Sequence, residues 1–398
     1  MITRGMLAVG AVVFLAVGVH ALTLTPVWEI ARPAEWAPIQ EFGIHYDGVG
    51  NPLVVCLTDS GVFTVDHTGA QTTIWTFVPG DSALVQRAVL SPSGKYVAIV
   101  TNRLEDEEAW TWVGDIRVMD AQGTLVWEVT GTPYREIALA DAGPWSVSTK
   151  PEYGEFDYVY HDYLVRDPSG AVADEGTCPS CYSIAVSEDG TRFAYSTMDS
   201  IYTLDRAGAV VGIEPIRLPG LEDYELELEA STPSHGISVS YLLSHLPTAG
   251  KIVFGDSTGA YGTPIDVAAS WHGDLDISDD GEHAVLGARG RLCYLSRESA
   301  SIDWDLTDPD GFDARSYRSV QISEDGSLVV AGVSRADSTT ARLEMYDAGG
   351  NPLFEEQYPT TGAVFVRMLK DGVFIAVQRV QLTILGRDLT LSLCAVSL

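Results

Sequence analysis

The chain has 398 residues, of which 55 are acidic and 24 basic, and its formal net charge is −31. This charge argues against nucleic acid and anionic membrane surfaces as partners, because their phosphates would be repelled; it is compatible with basic partners, with cations, or with a surface that only maintains solubility. Hydrophobic residues make up 46% of the chain, enough for a large core, and the length suits two average domains or one closed all-β domain.

Residues 1–21 are predicted to be a secretory signal peptide. Arg4 precedes an apolar run from Met6 to Val19, and Val19 and Ala21 suit a cleavage site. Because the run is shorter than the ~20 apolar residues of a spanning helix, we expect removal of this segment, an extracytoplasmic location and no membrane span afterwards. An uncleaved membrane anchor is the alternative.

A short turn motif, typified by "SEDG" at 187–190 and 323–326, recurs along the rest of the chain. Its glycines are Gly48, Gly94, Gly143, Gly190, Gly236, Gly281, Gly326 and Gly372, separated by 45 to 49 residues. Alternating apolar runs before and after each turn indicate a hairpin. The motif therefore marks a repeated unit rather than a catalytic site, and we expect its side chains to point away from any common centre.

Each unit continues with two further strand signals. A third run ends in Asp-x-x-Gly, at Asp66–Gly69, Asp120–Gly123, Asp167–Gly170, Asp205–Gly208 and Asp347–Gly350. A fourth run carries a large ring, at Trp75, Trp127, Trp304 and Phe354. Four short antiparallel strands per repeat of 40 to 50 residues are typical of a β-propeller blade.

The prediction is therefore an all-β fold, a single eight-bladed β-propeller over residues 22–398, with seven blades as the alternative. The predicted blades are 40–80, 84–131, 134–176, 182–219, 222–270, 273–308, 316–359, and 363–386 together with 25–31. The segment "TPVWEIARP" at 25–33 looks like a fourth strand that closes the last blade. Residues 388–398 are the alternative source of that strand.

From Pro26 to Leu385 these units resemble the WD40-like repeats of pyrroloquinoline-quinone-type propellers, whose blades end in a strand, Asp-x-x-Gly and a downstream Trp. The resemblance implies the fold, but it implies the quinone only weakly because adjacent paired cysteines are absent. We expect a binding or scaffolding module without identified catalysis. The alternatives are a propeller enzyme, either a quinone-dependent oxidoreductase or a polysaccharide-cleaving enzyme, and an envelope protein-assembly factor.

Two stretches, 102–115 and 149–163, are predicted to be long loops between the second and third strands of adjacent blades. They place aromatic rings among carboxylates, which suits a basic peptide, a sugar or a cation. The predicted ligand contacts are Glu105, Asp106, Glu107, Glu108, Trp110, Trp112, Tyr153, Phe156 and Tyr158. The ligand would be a protein, a peptide or a glycan. The alternative is a solvated hairpin whose aromatic rings pack on the blade.

Cysteine and aspartate patterns give two further predictions. Cys178 and Cys181 in "CPSC" are expected to form a small structural disulfide, whereas Cys56, Cys293 and Cys394 lie in apolar runs and are expected to be buried thiols. Asp308, Asp310 and Asp313 alternate around a glycine, so calcium is a candidate ligand, although these residues also suit a solvated turn. No other cofactor is identified.

The segment "GDSTG" at 255–259 matches the nucleophile elbow of hydrolases, which requires a strand, a sharp turn and a helix. Its surroundings align with "LVVCLTDSGVFT" at 53–64, which reads as strand, turn and strand. Ser257 is therefore predicted to be a turn residue without a catalytic role.

Overall fold

The computed structural model describes the chain as a series of β-strands. The described residues are 24–31, 39–58, 60–77, 84–106, 111–131, 133–134, 136–152, 160–179, 181, 183–197, 200–215, 226–234, 237–244, 250–256, 258–267, 270–307, 316–334, 340–359, 364–369, 371–378 and 381–387. The predicted signal peptide and the segment 388–398 lie outside them. Within these ranges there is no apolar helix of membrane-spanning length.

The described residues form 32 strands, which fall into successive units of four along the chain. The first strand is β1 (Leu24–Ala31). Unit 1 contains β2 (Ile39–Tyr46), β3 (Pro52–Thr58), β4 (Gly61–Val65) and β5 (Gln71–Thr76), and unit 2 contains β6 (Leu84–Leu90), β7 (Tyr96–Asp106), β8 (Thr111–Asp120) and β9 (Leu125–Thr130). Unit 3 contains β10 (Glu136–Leu139), β11 (Ser146–Glu152), β12 (Tyr160–Arg166) and β13 (Val172–Pro179), and unit 4 contains β14 (Ser183–Val186), β15 (Arg192–Ser196), β16 (Ser200–Asp205) and β17 (Val210–Pro215).

The second half of the chain repeats the arrangement. Unit 5 contains β18 (Leu226–Ser234), β19 (Ile237–Ser244), β20 (Gly250–Gly255) and β21 (Ile265–Val267), and unit 6 contains β22 (Ser270–Ile277), β23 (His283–Arg289), β24 (Arg291–Ser296) and β25 (Ser301–Thr307). Unit 7 contains β26 (Ser316–Ile322), β27 (Leu328–Ser334), β28 (Thr340–Asp347) and β29 (Pro352–Pro359), and unit 8 contains β30 (Phe365–Met368), β31 (Phe374–Gln378) and β32 (Gln381–Arg387).

Every unit is an antiparallel meander in chain order, and a single bridge between Arg289 and Ser316 joins units 6 and 7 into one larger sheet. Unit 8 gains a fourth strand because β1 pairs antiparallel with β32, with Trp28 opposite Ile384. These pairings confirm the prediction of an all-β fold built from antiparallel four-stranded sheets. A meander places its first–second and third–fourth turns at one end, here termed the turn end, and its second–third hairpin at the other, the hairpin end.

The units pack against one another through their faces. Each first strand lies against the first strand of the next unit, from β2 against β6 to β26 against β30, and β30 in turn lies against β2. Apolar clusters fill the spaces between neighbours, as where Val285 and Tyr294 of unit 6 meet Tyr317 and Val329 of unit 7. Strand β3 is buried along its whole length because both faces of its sheet are covered, whereas the outer strand β25 alternates between exposed and half-buried residues.

The "SEDG" turn has a structural role. In unit 4, Ser187 Oγ accepts hydrogen bonds from the backbone N–H groups of Thr191 (3.0 Å) and Arg192 (2.9 Å), and it donates to Asp189 Oδ1 (2.6 Å). Gly190 adopts a φ of 63°, and its N–H donates to the carbonyl of Ser187. Because the glycine that ends the motif has a positive φ that other residues rarely adopt, the motif specifies a tight turn between two strands.

Unit 1 corrects one position of the predicted repeat. Its turn glycine is Gly50, which has a φ of 88° and donates its N–H to the carbonyl of Asp47, rather than Gly48. Asp47 takes the place of the serine and accepts the N–H groups of Val49 and Asn51 through Oδ1. The prediction was wrong by two residues because two glycines stand close together in "DGVG". Gly236 lies outside the described residues.

The Asp-x-x-Gly turns join each unit to the one before it. In unit 7, a Cβ added to Gly350 would lie 2.9 Å from the ring of Trp304 in unit 6, and Trp304 Nε1 donates to the carbonyl of Ala348 at 3.0 Å. Gly170 of unit 3 lies equally close to Trp127 of unit 2. In these two pairs of units, the Trp of one fourth strand therefore packs directly under the glycine turn of the next unit.

"GDSTG" belongs to the same series of turns. The carboxylate of Asp256 accepts the N–H groups of Thr258 (2.8 Å) and Ala260 (3.0 Å), as the other turn aspartates do, and Gly259 has a φ of 84°. This turn follows the third strand β20, so the alignment with residues 53–64, which span the second and third strands, was wrong. A turn between two strands is confirmed at this position, and Ser257 itself lies outside the described residues.

Replacing Gly350 by Ala is expected to lower the free energy of unfolding by about 2–3 kcal/mol, because Ala is strained at a φ of 77° and its Cβ would overlap the Trp304 ring. Gly48 is the matched control, since it has open space around it, and Gly48→Ala should change stability by less than about 0.5 kcal/mol. Denaturant midpoints of the two variants measure the difference. Equal midpoints would contradict the glycine–tryptophan contact.

Candidate functional site

The first predicted loop is mostly a long hairpin. Strand β7 continues to Asp106 and β8 begins at Thr111, with Leu104 paired to Trp112 and Asp106 to Thr111. Glu105 and Asp106 therefore belong to β7, and Trp112 belongs to β8. The loop prediction was wrong here because the antiparallel ladder continues through the polar residues. The remaining predicted contacts of this stretch, Glu107, Glu108 and Trp110, lie outside the described residues.

The second predicted loop, 149–163, was wrong at its two ends, because residues 149–152 belong to β11 and residues 160–163 belong to β12. Tyr153, Phe156 and Tyr158 all lie outside the described residues, so their contacts with a ligand stay a prediction. The strands that flank the two stretches, β7 with β8 and β11 with β12, pair up to the hairpin end of units 2 and 3.

The two cysteines of "CPSC" lie between units 3 and 4. Cys178 is near the end of β13 and Cys181 precedes β14; both are buried in a cluster that includes Tyr163 and Phe193. The pKa of the Cys178 thiol is raised, first by its hydrogen bond with the Cys181 side chain and then by burial. The disulfide between them stays a prediction.

The other cysteine and aspartate predictions have mixed outcomes. Cys56 and Cys293 are confirmed as buried thiols, and burial raises the pKa of Cys293 to about 12. Cys394 lies outside the described residues. So do Asp308, Asp310 and Asp313, and calcium binding there stays a prediction. In the part of the chain that the structure describes, no group of three or more His, Cys, Asp or Glu side chains is arranged to hold a metal ion.

A cavity of about 640 Å³, here termed the central cavity, lies between the first strands. Its described walls come from β2, β6, β10, β14, β22, β26 and β30, one strand from each of seven units. In each of these units the residue five positions before the turn glycine faces the cavity. These residues are His45, Val89, Ala138, Ala185, Asp276, Gln321 and Arg367.

The wall of the central cavity has two chemically different halves. Val89, Ala138 and Ala185 of units 2 to 4 form what we term the apolar half. The corresponding residues of units 6, 7, 8 and 1 are polar, and Glu41 and Asp274 join them in the polar half. Because both halves surround one space, a group inside the cavity would contact hydrocarbon on one side and charge on the other.

Arg367 organises the polar half. Its Nη1 lies 3.3 Å from Asp274 Oδ2, 3.2 Å from Ser319 Oγ and 3.0 Å from the carbonyl of Val366. Its guanidinium also lies 5.9 Å from the ring centroid of Phe42. This one side chain therefore touches residues of units 6, 7, 8 and 1.

The aspartates of β22 tie unit 6 to unit 7. Asp274 Oδ2 accepts the N–H of Val320 at 3.1 Å, and Asp276 Oδ2 accepts the N–H of Ile322 at 2.9 Å. Two of the cavity carboxylates thus have a structural role, because each satisfies a backbone donor of the neighbouring first strand.

Glu41 differs from these aspartates. Its carboxylate faces the cavity and makes no hydrogen bond to any described residue, although Arg367 is near enough to stabilise its charge. Loss of solvation raises the pKa of Glu41, Arg367 opposes that shift, and Asp274 adds to it. The pKa of Asp274 is likewise raised, mainly by desolvation. Among the described residues that line the cavity, Arg367 is the one Arg or Lys, whereas Glu41, Asp274 and Asp276 of the polar half are carboxylates.

The turn end of the cavity is also acidic. Glu188 and Glu324, the second residues of two "SEDG" turns, line it together with Asp141 and Asp371. The expectation that this motif points away from the centre was wrong for its Glu, because the first strand runs along the cavity and its turn ends at the opening. Tyr46 donates a hydrogen bond of 2.6 Å to Asp371 at this opening.

Sequence inspection missed the cavity residues although a signal was present. The first strands of most units are apolar or small near the turn, whereas "DLDIS" at 274–278 and "FVRML" at 365–369 place charges there. Comparing the same position across units would have indicated that these charges share one wall.

No family model and no curated protein sequence matches the chain. Solved structures do match it. The C-terminal WD40 domain of Sif2 superposes with a TM-score of 0.58 at 11% identity over 91% of this chain and 98% of that one. Sqt1 of Chaetomium thermophilum, bound to the N-terminus of ribosomal protein L10, gives 0.54 at 15% identity over 87% and 96%. BamB from Moraxella catarrhalis gives 0.51 at 14% identity over 92% and 100%.

The fold is that of a β-propeller. The four-stranded units are its blades, and the resemblance predicted from the repeat is confirmed at the level of fold. Identities this low carry no information about the ligand, so the chemistry of the propeller has to be inferred from its own residues.

Replacing Arg367 by Met should destabilise the propeller by about 2 kcal/mol at neutral pH, less than for a fully buried pair because Arg367 and Asp274 are 26% and 27% exposed. Without the guanidinium, the folded-state pKa values of Glu41 and Asp274 rise further, so the loss should shrink as the pH falls and both groups protonate. Arg117→Met, which breaks an outer ion pair with Glu128, should cost at most about 1 kcal/mol. Denaturant midpoints across pH measure both, and a pH-independent loss for Arg367→Met would contradict this role.

Proposed function

We propose that the protein is an exported binding or scaffolding module that holds a basic region of a protein or peptide partner. The observation that carries this proposal is the acidic central cavity, whose opening is surrounded by Asp141, Glu188, Glu324 and Asp371. A concave surface of one charge sign concentrates its field and attracts ligands of the opposite sign. Among structures of this fold, Sqt1 is bound to the N-terminus of another protein, which supports a peptide as ligand.

The scaffold of this module would be a closed ring of eight blades. Eight first strands follow one another in contact, and the contact between β30 and β2 supports closure. The pairing of β1 with β32 supports an N-terminal strand as the fourth strand of the last blade. This arrangement would cover the edge of β32, which would otherwise offer unpaired backbone groups to other chains.

Export rests on the sequence of residues 1–21. A location outside the cytoplasm would suit a charged module whose partner is outside the cell or in the envelope. The hairpin end is a second candidate surface, because Glu105, Asp106 and Trp112 lie on a long hairpin there. A partner that used both ends would make the module a scaffold.

Basic peptides are expected to bind the protein lacking residues 1–21 more tightly than acidic peptides of the same length, and their binding should weaken with added salt. Fluorescence anisotropy with peptides of graded lysine content measures this. Charge reversal at the turn end, Glu188→Lys with Glu324→Lys, should weaken binding about tenfold if the partner enters there. Reversal at the hairpin end, Glu105→Lys with Asp106→Lys, tests the other surface.

Glu298→Lys is the matched control, because Glu298 is exposed and is not among the residues that line the cavity. Binding that does not depend on peptide charge, or that weakens equally in the control, would contradict a basic partner. If a neutral glycan binds more tightly than the basic peptides, the ligand would be a glycan rather than a peptide.

A polysaccharide-cleaving enzyme is the second candidate. It is favoured by the convergence of Glu41, Asp274 and Arg367 from three units, since glycoside hydrolysis uses one protonated and one ionised carboxyl group. If this candidate is correct, the protein should hydrolyse a glycan from a chromogenic panel, and Glu41→Gln should lower the rate at least about 100-fold. A rate that is unchanged in Glu41→Gln would exclude it.

A further inference from the structure

We propose that the central cavity is a binding site for an alkylammonium group, the chemistry that a lysine side chain of a partner shares with a free aliphatic amine. This inference rests on the proposed binding function and assigns it a specific site. The site comprises the polar half, with Glu41 as the principal acceptor, and the apolar half formed by Val89, Ala138 and Ala185.

The volume of the central cavity and the two chemically different halves of its wall indicate which class of ligand fits it. At about 640 Å³ the cavity lies within the ~300–1,000 Å³ range of ligand pockets. Apolar surface gains free energy only when it covers other apolar groups, so a bare or hydrated ion would leave the apolar half without a suitable contact. A cation on a hydrocarbon chain satisfies both halves, because its methylene groups can pack on Val89, Ala138 and Ala185 while its charge lies against the carboxylates.

Glu41 is the carboxylate best placed to accept the ligand. Asp274 and Asp276 each use Oδ2 for a backbone N–H of unit 7, and Asp141 accepts the hydroxyl groups of Ser91 (2.5 Å) and Ser93 (2.8 Å). The carboxylate of Glu41 makes no hydrogen bond within the described part of the chain. An ionised carboxylate that has lost solvation without gaining a donor is costly, and a bound ammonium group with three N–H donors would relieve that cost.

The neighbouring charges leave room for one added cation. Arg367 of β30 and Asp274 of β22 are near enough to act on the charge of Glu41, and Asp276 of β22 and the uncharged Gln321 of β26 line the same cavity. Loss of solvation raises the pKa of Glu41 despite the opposing charge of Arg367, and the charge of Asp274 adds to the rise. Because an ammonium group binds only the ionised form well, binding should release protons and should strengthen as the pH rises through the folded-state pKa of Glu41.

The ligand would enter from the turn end. Glu324 and Asp371 are exposed there and line the same cavity, so a cation passes carboxylates before it reaches Glu41. This end is opposite the hairpin end, where β7 pairs with β8 and β11 with β12. Binding in the cavity and binding at the hairpins can therefore be separated by mutation.

Isothermal titration calorimetry with pentylamine, ammonium chloride and sodium pentanoate tests the site on the protein lacking residues 1–21. Pentylamine should bind, whereas ammonium has the charge without the chain and pentanoate has the chain with the opposite charge. Binding should be tighter at pH 8 than at pH 5, with protons released. Glu41→Gln should weaken pentylamine binding about tenfold, because it removes a charged acceptor while keeping the shape.

Two further variants keep the test decisive. Ala138→Lys places a tethered ammonium group in the cavity and should abolish pentylamine binding, while Glu298→Gln on the exposed surface should leave it unchanged. Equal heats from ammonium chloride, equal affinity in Glu41→Gln, or undiminished binding in Ala138→Lys would each overturn the site. Calcium that displaces pentylamine from the wild-type protein would also overturn it in favour of a metal.

Tetralysine distinguishes the two sources of the ligand. Tighter binding of tetralysine than of pentylamine, lost in Glu188→Lys with Glu324→Lys, would assign the site to a partner's lysine; the reverse order would assign it to a free amine. Basic peptides that bind normally to both Glu41→Gln and Ala138→Lys would overturn the cavity site and leave the proposed function standing. Pentylamine that binds while basic peptides do not would support the site and contradict the proposed function.

Discussion

Face-to-face packing between neighbouring units is the interaction on which the rest of this structure depends. A four-stranded sheet of this size has two apolar faces and cannot cover either of them alone. Each unit is therefore stable only between two others, and second strands such as β3 are buried on both sides. The apolar clusters accordingly lie between units, as where Leu343 and Val330 of unit 7 meet Val366 of unit 8.

The same constraint creates the central cavity. Units that pack on both faces and in sequence bring their first strands together around one space, and the sides of those strands that face it are not needed for packing. Polar residues can therefore occupy the cavity-facing positions of the first strands without reducing the apolar core. Asp274 and Arg367 use this freedom to connect first strands of different units, and Glu41 is left facing the space.

The fold could be predicted from the sequence because its determinants are local and repeated. "SEDG" and Asp-x-x-Gly each specify a turn within a few residues, and their spacing revealed the period. The site could not be predicted in the same way, because Glu41, Asp274 and Arg367 are far apart in the chain and come together only when the units are in place. The length and polarity of the stretch around Asp106 also led to a wrong prediction. Its acidic residues indicated a loop, but strand pairing continues through them.

The position five residues before each turn glycine has a consequence for how the molecule can change. In the seven units whose first strands line the described wall, one side chain reaches the cavity from this position. The turn is specified by other residues, and only some of these cavity-facing side chains, such as Asp276 and Arg367, also connect neighbouring units. Replacing Gln321 or Ala185 would therefore change the chemistry of one part of the cavity wall and leave the rest of the wall and the fold unchanged. A propeller of this type can acquire a new ligand by independent single substitutions, each made in a different repeat.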